Sequence, residues 1–276
     1  MQSVSGIEMF RRVLTSASKL VAGVASVQVA ATAVTISDAD LKKKPEWYQH
    51  AVASLEESLK KLSTYAYIES EETLQAAEDV LHRVLDQNNV DILWRYARIL
   101  VEQAELSKCP KKKLELLHEA KTYAKKALAI EPAKGSAGAH KWYAIAVTKL
   151  AQVDKKACAS DAVEHLERAT KLAPKDPFAW HLLGVALFNV GKFGEAIKSF
   201  TTAEEIKAGF SAANLYYLGH AQKNEGKKTE AIDTLKKCLA THTKCKADGR
   251  GKLEAKKVLG VDLKLKPEEY EPKADF

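Results

Sequence analysis

The stretch PFAWHLLGVALFNVGKFGEAIKSFTTA, Pro177 to Ala203, decides the fold. Its marks are Trp180, Leu183-Gly184, Leu187, Gly191, Phe193, Ala196, Phe200 and Ala203. Shifted by 35 residues the same marks return as Leu215, Leu218-Gly219, Gly226, Ala231, Leu235 and Cys238. Each has a packing reason. Gly184 and Gly219 let a second helix come close to the first, and Gly191 and Gly226 take a turn where a side chain would strain the backbone. Ala196 and Ala231 are small where the two helices cross, and the aromatic or Leu four residues on fills the groove beside them.

A helix–turn–helix unit of about 34 residues with W-x2-LG-x2-[YL] and A-x3-F-x2-A is a tetratricopeptide repeat. Two more units stand upstream. Trp142 and Ile145 open a helix whose partner carries Ala162, Leu166, Ala169 and Pro174, after a longer turn than usual. Trp94, Ala97 and Val101 open another, whose partner carries Ala120, Ala124, Ala127 and Pro132. The insert between them holds Lys108, Pro110 and Lys111-Lys112-Lys113, which reads as a solvated lysine-rich turn. Ala77, Leu81 and Val84 suggest a lone second helix, preceded by a helix around Pro45 to Leu62. A last helix near Lys252 to Leu259 would cap the stack. Three or more repeats suffice for a stable array, so the expectation is an all-α tetratricopeptide-like superhelix, an α-solenoid.

Composition agrees. Of 276 residues, 13 are Gly and 7 Pro, too few for a turn-rich sandwich or barrel. Hydrophobic residues make up 46% and charged ones 29%, too apolar for a disordered chain. The four cysteines, Cys109, Cys158, Cys238 and Cys245, are sparse for a disulfide scaffold and read as reduced thiols. Cys238, His242 and Cys245 lack a fourth ligand and a standard zinc spacing, so no metal is expected. Gly184 and Gly191-Lys192 are too far apart for a phosphate loop, and Phe193 stands where Ser or Thr is needed. With no catalytic constellation, the chain is not expected to be an enzyme or to use a cofactor, and no nucleic-acid module is present.

Residues 1–37 differ from the rest. Arg11, Arg12 and Lys19 face a single acid, Glu8, and Ile7, Phe10, Leu14, Ala17 and Val21 share a helical face. The segment reads as a mitochondrial presequence, a secretory signal or anchor, or an arm of the body. Residues 42–262 form the expected repeat domain and 263–276 a tail. Within the repeats, the concave surface is expected to show Arg95, His140, Tyr143, Phe178, His181, Phe188, Tyr216 and His220, an aromatic and weakly cationic groove for an extended peptide, an amphipathic partner or lipid. Some of these side chains will instead pack against the next repeat. The Lys, Asn and Arg of a two-carboxylate clamp are absent.

Ile92-Leu93-Trp94-Arg95-Tyr96-Ala97-Arg98 and Ala139-His140-Lys141-Trp142-Tyr143-Ala144-Ile145 resemble signatures of the regulator of microtubule dynamics family. His181-Leu182-Leu183-Gly184 and Tyr217-Leu218-Gly219 follow in the same order, so the likeness covers roughly residues 46 to 262. It implies a non-enzymatic protein associated with microtubules and the spindle that influences chromosome segregation. It also implies a second class of member, anchored at mitochondria or endoplasmic reticulum, with lipid in the groove. A general peptide-binding scaffold is the third reading. The charge pattern fits the first, because tubulin presents acidic tails. The net charge is +7, and residues 223–266 alone carry 13 basic and 6 acidic residues, again a net of +7. The expected microtubule-binding patch is Lys236, Lys237, Lys244, Lys246, Arg250, Lys252, Lys256 and Lys257, with Lys244, Lys246 and Arg250 on a loop before the last helix. Localisation is expected in cytoplasm, cytoskeleton and spindle microtubules, with the mitochondrion as alternative.

Overall fold

The computed structural model describes residues 68–82, 89–154, 156–157 and 160–270, with isolated positions at 43, 46, 49, 50, 53, 54, 57 and 85. The readings of residues 1–37, the body of the helix at 45–62, Val84, Cys158 and residues 271–276 fall outside them. Among the described residues every regular element is helical: α1 (Glu71–His82), α2 (Val90–Leu106), α3 (Pro110–Ala129), α4 (Ala137–Val153), α5 (Ala162–Leu172), α6 (Pro177–Asn189), α7 (Phe193–Ile206), α8 (Ala212–Asn224), α9 (Lys228–Ala240) and α10 (Lys246–Lys257). A π turn (Val258–Asp262) and a short 3-10 turn (Pro267–Glu269) follow. The fold is all-α and tetratricopeptide-like, as read. No described helix is long and apolar enough to cross a membrane.

The helices alternate in how they start. Asn89, Ser136, Asp176 and Ser211 accept backbone N–H bonds at the N-termini of α2, α4, α6 and α8, satisfying donors that would otherwise be orphaned. Their partners α5, α7 and α9 have no such side-chain cap. α3 starts instead on Pro110 at its first position, where proline's fixed φ suits a helix and its missing N–H costs nothing.

The chain divides into two compact units, Met1–Ala159 and Ser160–Phe276. The boundary falls in the connection from α4 to α5, inside what the sequence reads as one repeat. In the first unit α2 packs against α1, α3 and α4, and every residue from Ile92 to Glu102 is buried. A Cβ on Gly138 would collide with the Trp94 indole, so this glycine admits the ring against α4. In the second unit α6 pairs with α7 and α8 with α9, and α10 packs against both α8 and α9. A Cβ on Gly184 would come within 2.5 Å of the Phe200 ring, and one on Gly219 within 2.7 Å of Leu235 Cγ. The close approach read from the repeat marks is therefore real. Gly191 and Gly226 turn the chain at φ 79° and 80°, a left-handed conformation that L side chains avoid.

Two local readings are corrected. Lys111, Lys112 and Lys113 are not in a turn; they form the first turn of α3, and only Ser107 to Cys109 connect it to α2. Leu, Ala and Lys favour helix strongly enough to carry the inserted residues into it. The last helix also starts earlier than read, at Lys246, so Lys246 and Arg250 are helical and Lys244 alone of that trio is on the connection. Gly249 and Gly251 hide this start in the sequence. A Cβ on Gly251 would lie 2.9 Å from Ala213 Cα, so the helix needs glycine there to approach α8.

Candidate functional site

In the first unit the three expected groove residues are engaged in their own unit. The Arg95 guanidinium lies 4.0 Å from the centre of the Trp94 ring and donates to the Asp91 carboxylate at 3.1 Å and carbonyl at 2.9 Å. Burial lowers its pKa to about 10, against the pull of Asp91, so it stays charged. His140 Nε2 is 3.3 Å from Glu131 Oε1, and Glu131 also accepts the Ser136 N–H at 2.9 Å. That pair ties the α3–α4 connection to α4. Tyr143 is buried.

The second unit assembles the remaining five in one ring cluster on α6 and α8. His181 stacks on Phe178 at 6.2 Å and is flanked by Phe200, Phe210 and Tyr217 at 5.9–6.1 Å. Its Nδ1 is 3.1 Å from Asn214 Oδ1. Asn214 spends its NH2 donors on the Phe200 carbonyl and Glu204, so its Oδ1 accepts and His181 Nδ1 carries the proton. Burial lowers the His181 pKa to about 4. Phe188 meets Tyr217 at 5.5 Å and His220 at 5.0 Å. Tyr216 meets His220 at 5.6 Å, with its hydroxyl 3.1 Å from His220 Nδ1. Burial and then Lys223 lower the His220 pKa as well. This five-residue cluster is thus aromatic and neutral at pH 7, whereas Arg95, the charged member of the expected set, lies in the first unit. Burial pushes Tyr216 up to about 12. Phe188, Tyr216, Tyr217 and His220 remain half-exposed, whereas Phe178 is buried.

Sequence reasoning missed Tyr217, Phe210 and Asn214. Tyr217 follows Tyr216 directly, and an adjacent aromatic pair on a repeat helix was the available signal. Asn214 occupies the place of Ala179 in the preceding repeat; a polar residue where the repeat wants a small one marks a buried hydrogen-bond site.

The basic end is built on α9, α10 and their connection. Lys236 and Lys237 are exposed on α9; Lys246, Arg250, Lys256 and Lys257 are exposed on α10, and Lys252 is half-buried there. Lys257 Nζ donates to Glu254 at 2.8 Å. Lys244 turns back onto the fold, where its Nζ donates to the carbonyls of Gly209 at 2.8 Å and Phe210 at 3.0 Å. Asp248, 1% exposed, holds this end in place. It accepts from Ser211 Oγ at 2.7 Å, Ala213 N–H at 3.1 Å and Lys244 N–H at 3.0 Å. Burial alone would raise its carboxyl; these bonds together outweigh burial and hold it below the usual range. Beyond α10, Val258, Leu259 and Leu263 join Leu215, Leu235 and Cys238 in one core, with Leu265 and Tyr270 packed against it. Lys223 and Asp262, 2.7 Å apart, tie this segment to α8. Among the described residues no group of His, Cys, Asp and Glu is set to hold a metal ion, and Cys238 is buried with its thiol pushed up to about 12, first by burial.

The family described as Regulator of microtubule dynamics protein 1-3 matches at residues 55–194 and 187–264. Regulator of microtubule dynamics protein 1 of Mus musculus is 33% identical over 195 residues, covering 62% of each chain. Its counterpart in Pongo abelii is 31% identical over 221 residues, covering 70% of this chain and 69% of that one. The chain thus spans less than two thirds of the mouse relative's length. Among solved structures, a thermophilic tetratricopeptide-repeat protein of Thermus thermophilus superposes with a TM-score of 0.53 at 17% identity, covering 76% of this chain and 100% of its own. YrrB, described as a tetratricopeptide-repeat protein with an unusual peptide-binding site, superposes with a TM-score of 0.50 at 21% identity, covering 79% of this chain and 97% of its own. These two likenesses concern the fold alone.

Proposed function

Because the chain belongs to the regulator of microtubule dynamics protein 1-3 family, we propose that it is a non-enzymatic, microtubule-associated repeat protein acting in spindle function and chromosome segregation. Residues 42–262 supply the repeat body in this reading, and the basic end on α9 and α10 meets the acidic tails of tubulin. The observation that carries it is the exposure of Lys236, Lys237, Lys246, Arg250, Lys256 and Lys257 within one stretch of net charge +7. Opposite charge brings such partners together at long range and raises the on-rate more than it deepens affinity. The site of action is then the cytoplasmic cytoskeleton and spindle.

Arg250→Glu, Lys256→Glu and Lys257→Glu together test this. All three are exposed, so the fold should persist. Co-sedimentation with microtubules should weaken by roughly tenfold at low salt, and the difference should shrink as salt screens the charges. Unchanged pelleting removes the basic end from the interface.

A second reading rests on the half-exposed rings of Phe188, Tyr216, Tyr217 and His220: a peptide or lipid seated on the α6–α8 face, with residues 1–37 directing the chain to a mitochondrial or other membrane. Phospholipid co-purifying with the full chain, and lost on Phe188→Ser, would favour it.

A further inference from the structure

Leu253 is 63% exposed and Val261 73% exposed, the two most exposed large hydrophobic residues among those described. Exposed apolar side chains standing singly are ordinary on protein surfaces. Position separates these two from the rest. Ile130 and Val190 are C-cap residues of α3 and α6, and Val153 is the last residue of α4; a helix end leaves such side chains open. Leu253 instead lies inside α10, two turns from its start, where the helix has a packed face available and Leu is not on it. Val261 lies in the π turn, where the Leu263 N–H reaches back to the Val258 carbonyl at 2.9 Å. The extra residue in that turn lets Val258, Leu259 and Leu263 all seat in the core while Val261 stays outside.

Both residues are set among cations. Lys246, Arg250, Lys256 and Lys257 are exposed on α10 beside Leu253, and Lys264 follows Val261. The carboxylates of α10 and the π turn are engaged: Asp248 is buried on Ser211 and backbone N–H groups, Asp262 is held by Lys223, and Glu254 by Lys257. A purely electrostatic surface has no use for Leu253 and Val261. It also gives no register, since an acidic chain can slide along lysines at little cost. Two apolar side chains within a positive field add a short-range contact that salt does not screen.

We propose that the outward face of α10 and the π turn docks an acidic peptide segment in which an apolar side chain stands among the carboxylates, with Leu253 and Val261 taking that side chain and the surrounding lysines and Arg250 the charges. The proposal rests on the acidic-partner reading of the basic end and sharpens it to a partner sequence.

The full chain is titrated, by fluorescence anisotropy, with two labelled peptides: eight glutamates, and the same peptide with one central glutamate replaced by phenylalanine. Electrostatics alone makes the second peptide the weaker ligand, since it has lost a charge. Here it binds roughly fivefold tighter, the order expected from burying part of two aliphatic side chains, and keeps its advantage as salt rises. L253S/V261S erases that preference, leaves the octaglutamate affinity unchanged, and melts at the parent temperature because both side chains are exposed. Equal or weaker binding of the phenylalanine peptide overturns the inference and leaves the acidic-partner reading standing. Failure of both peptides to bind overturns both. A dimer in sedimentation that L253S dissolves assigns this face to a second copy of the chain and overturns the inference too.

Discussion

Glu102 is buried with its Oε1 accepting from Arg98 Nε at 2.8 Å, and the Arg98 guanidinium sits 4.9 Å from the centre of the Trp142 ring. Burial pushes Glu102 up to about 7, with Arg98 opposing. A folded-state pKa above the ordinary value means the folded chain holds the proton more tightly than the unfolded one. The stability from this group is full below about pH 4.5 and is lost as pH rises through about 7. Glu102→Gln keeps an acceptor for Arg98 but cannot titrate. Its melting temperature should therefore lack part of the parent's decline between roughly pH 5 and pH 8; parallel profiles would contradict the assignment. Asp248 has the opposite sign: its lowered pKa makes its contribution full above the ordinary carboxylate range and lost as pH falls through the folded value. Asp248→Asn should cost most at neutral pH and little in acid, as melting curves at the two pH values would show. Neither behaviour was legible in the sequence, because a carboxylate's burial depends on helices far along the chain. His181 shows the same limit. Its helix was readable from the repeat marks, but the neutral ring held by Asn214 required knowing what α8 brings to it.

The helix pairs were legible because their marks are steric. Gly184→Ala puts a methyl 2.5 Å from the Phe200 ring, and such overpacking costs roughly 1–3 kcal/mol. Gly194→Ala is the matched control: its nearest neighbour would be Glu225 at 3.9 Å, and alanine is the better helix former by about 1 kcal/mol. Urea unfolding should show a clear loss for the first and none for the second; equal effects would mean the repeat glycines are not contact sites. The α2–α3 connection and the start of α10 were misread for one reason. Local composition, a lysine run with Pro110 and a pair of glycines, resembles loop, whereas the packed face of each helix overrides it. In α3 that face is Leu117, Ala120, Ala124 and Ala127, all buried. In α10 it is Asp248, Gly251 and Ala255, a set with almost no hydrophobic signature.

For the chain as a whole, charge and fold are distributed differently. Repeat marks run through both compact units, but residues 1–222 carry a net of only +3 and the segment from Pro267 carries −3, so the positive excess belongs to one end. That was readable by counting. What counting could not supply is the division of labour among the cations: Lys244 braces the α7–α8 loop, while Lys246, Arg250, Lys256 and Lys257 face outward. Whether this end contacts acidic tubulin tails, as proposed, is decided by co-sedimentation of the full chain with intact microtubules and with microtubules whose tails have been trimmed by limited proteolysis. Pelleting with intact microtubules should weaken as salt rises and fall sharply once the tails are removed. Equal pelleting with both would contradict it.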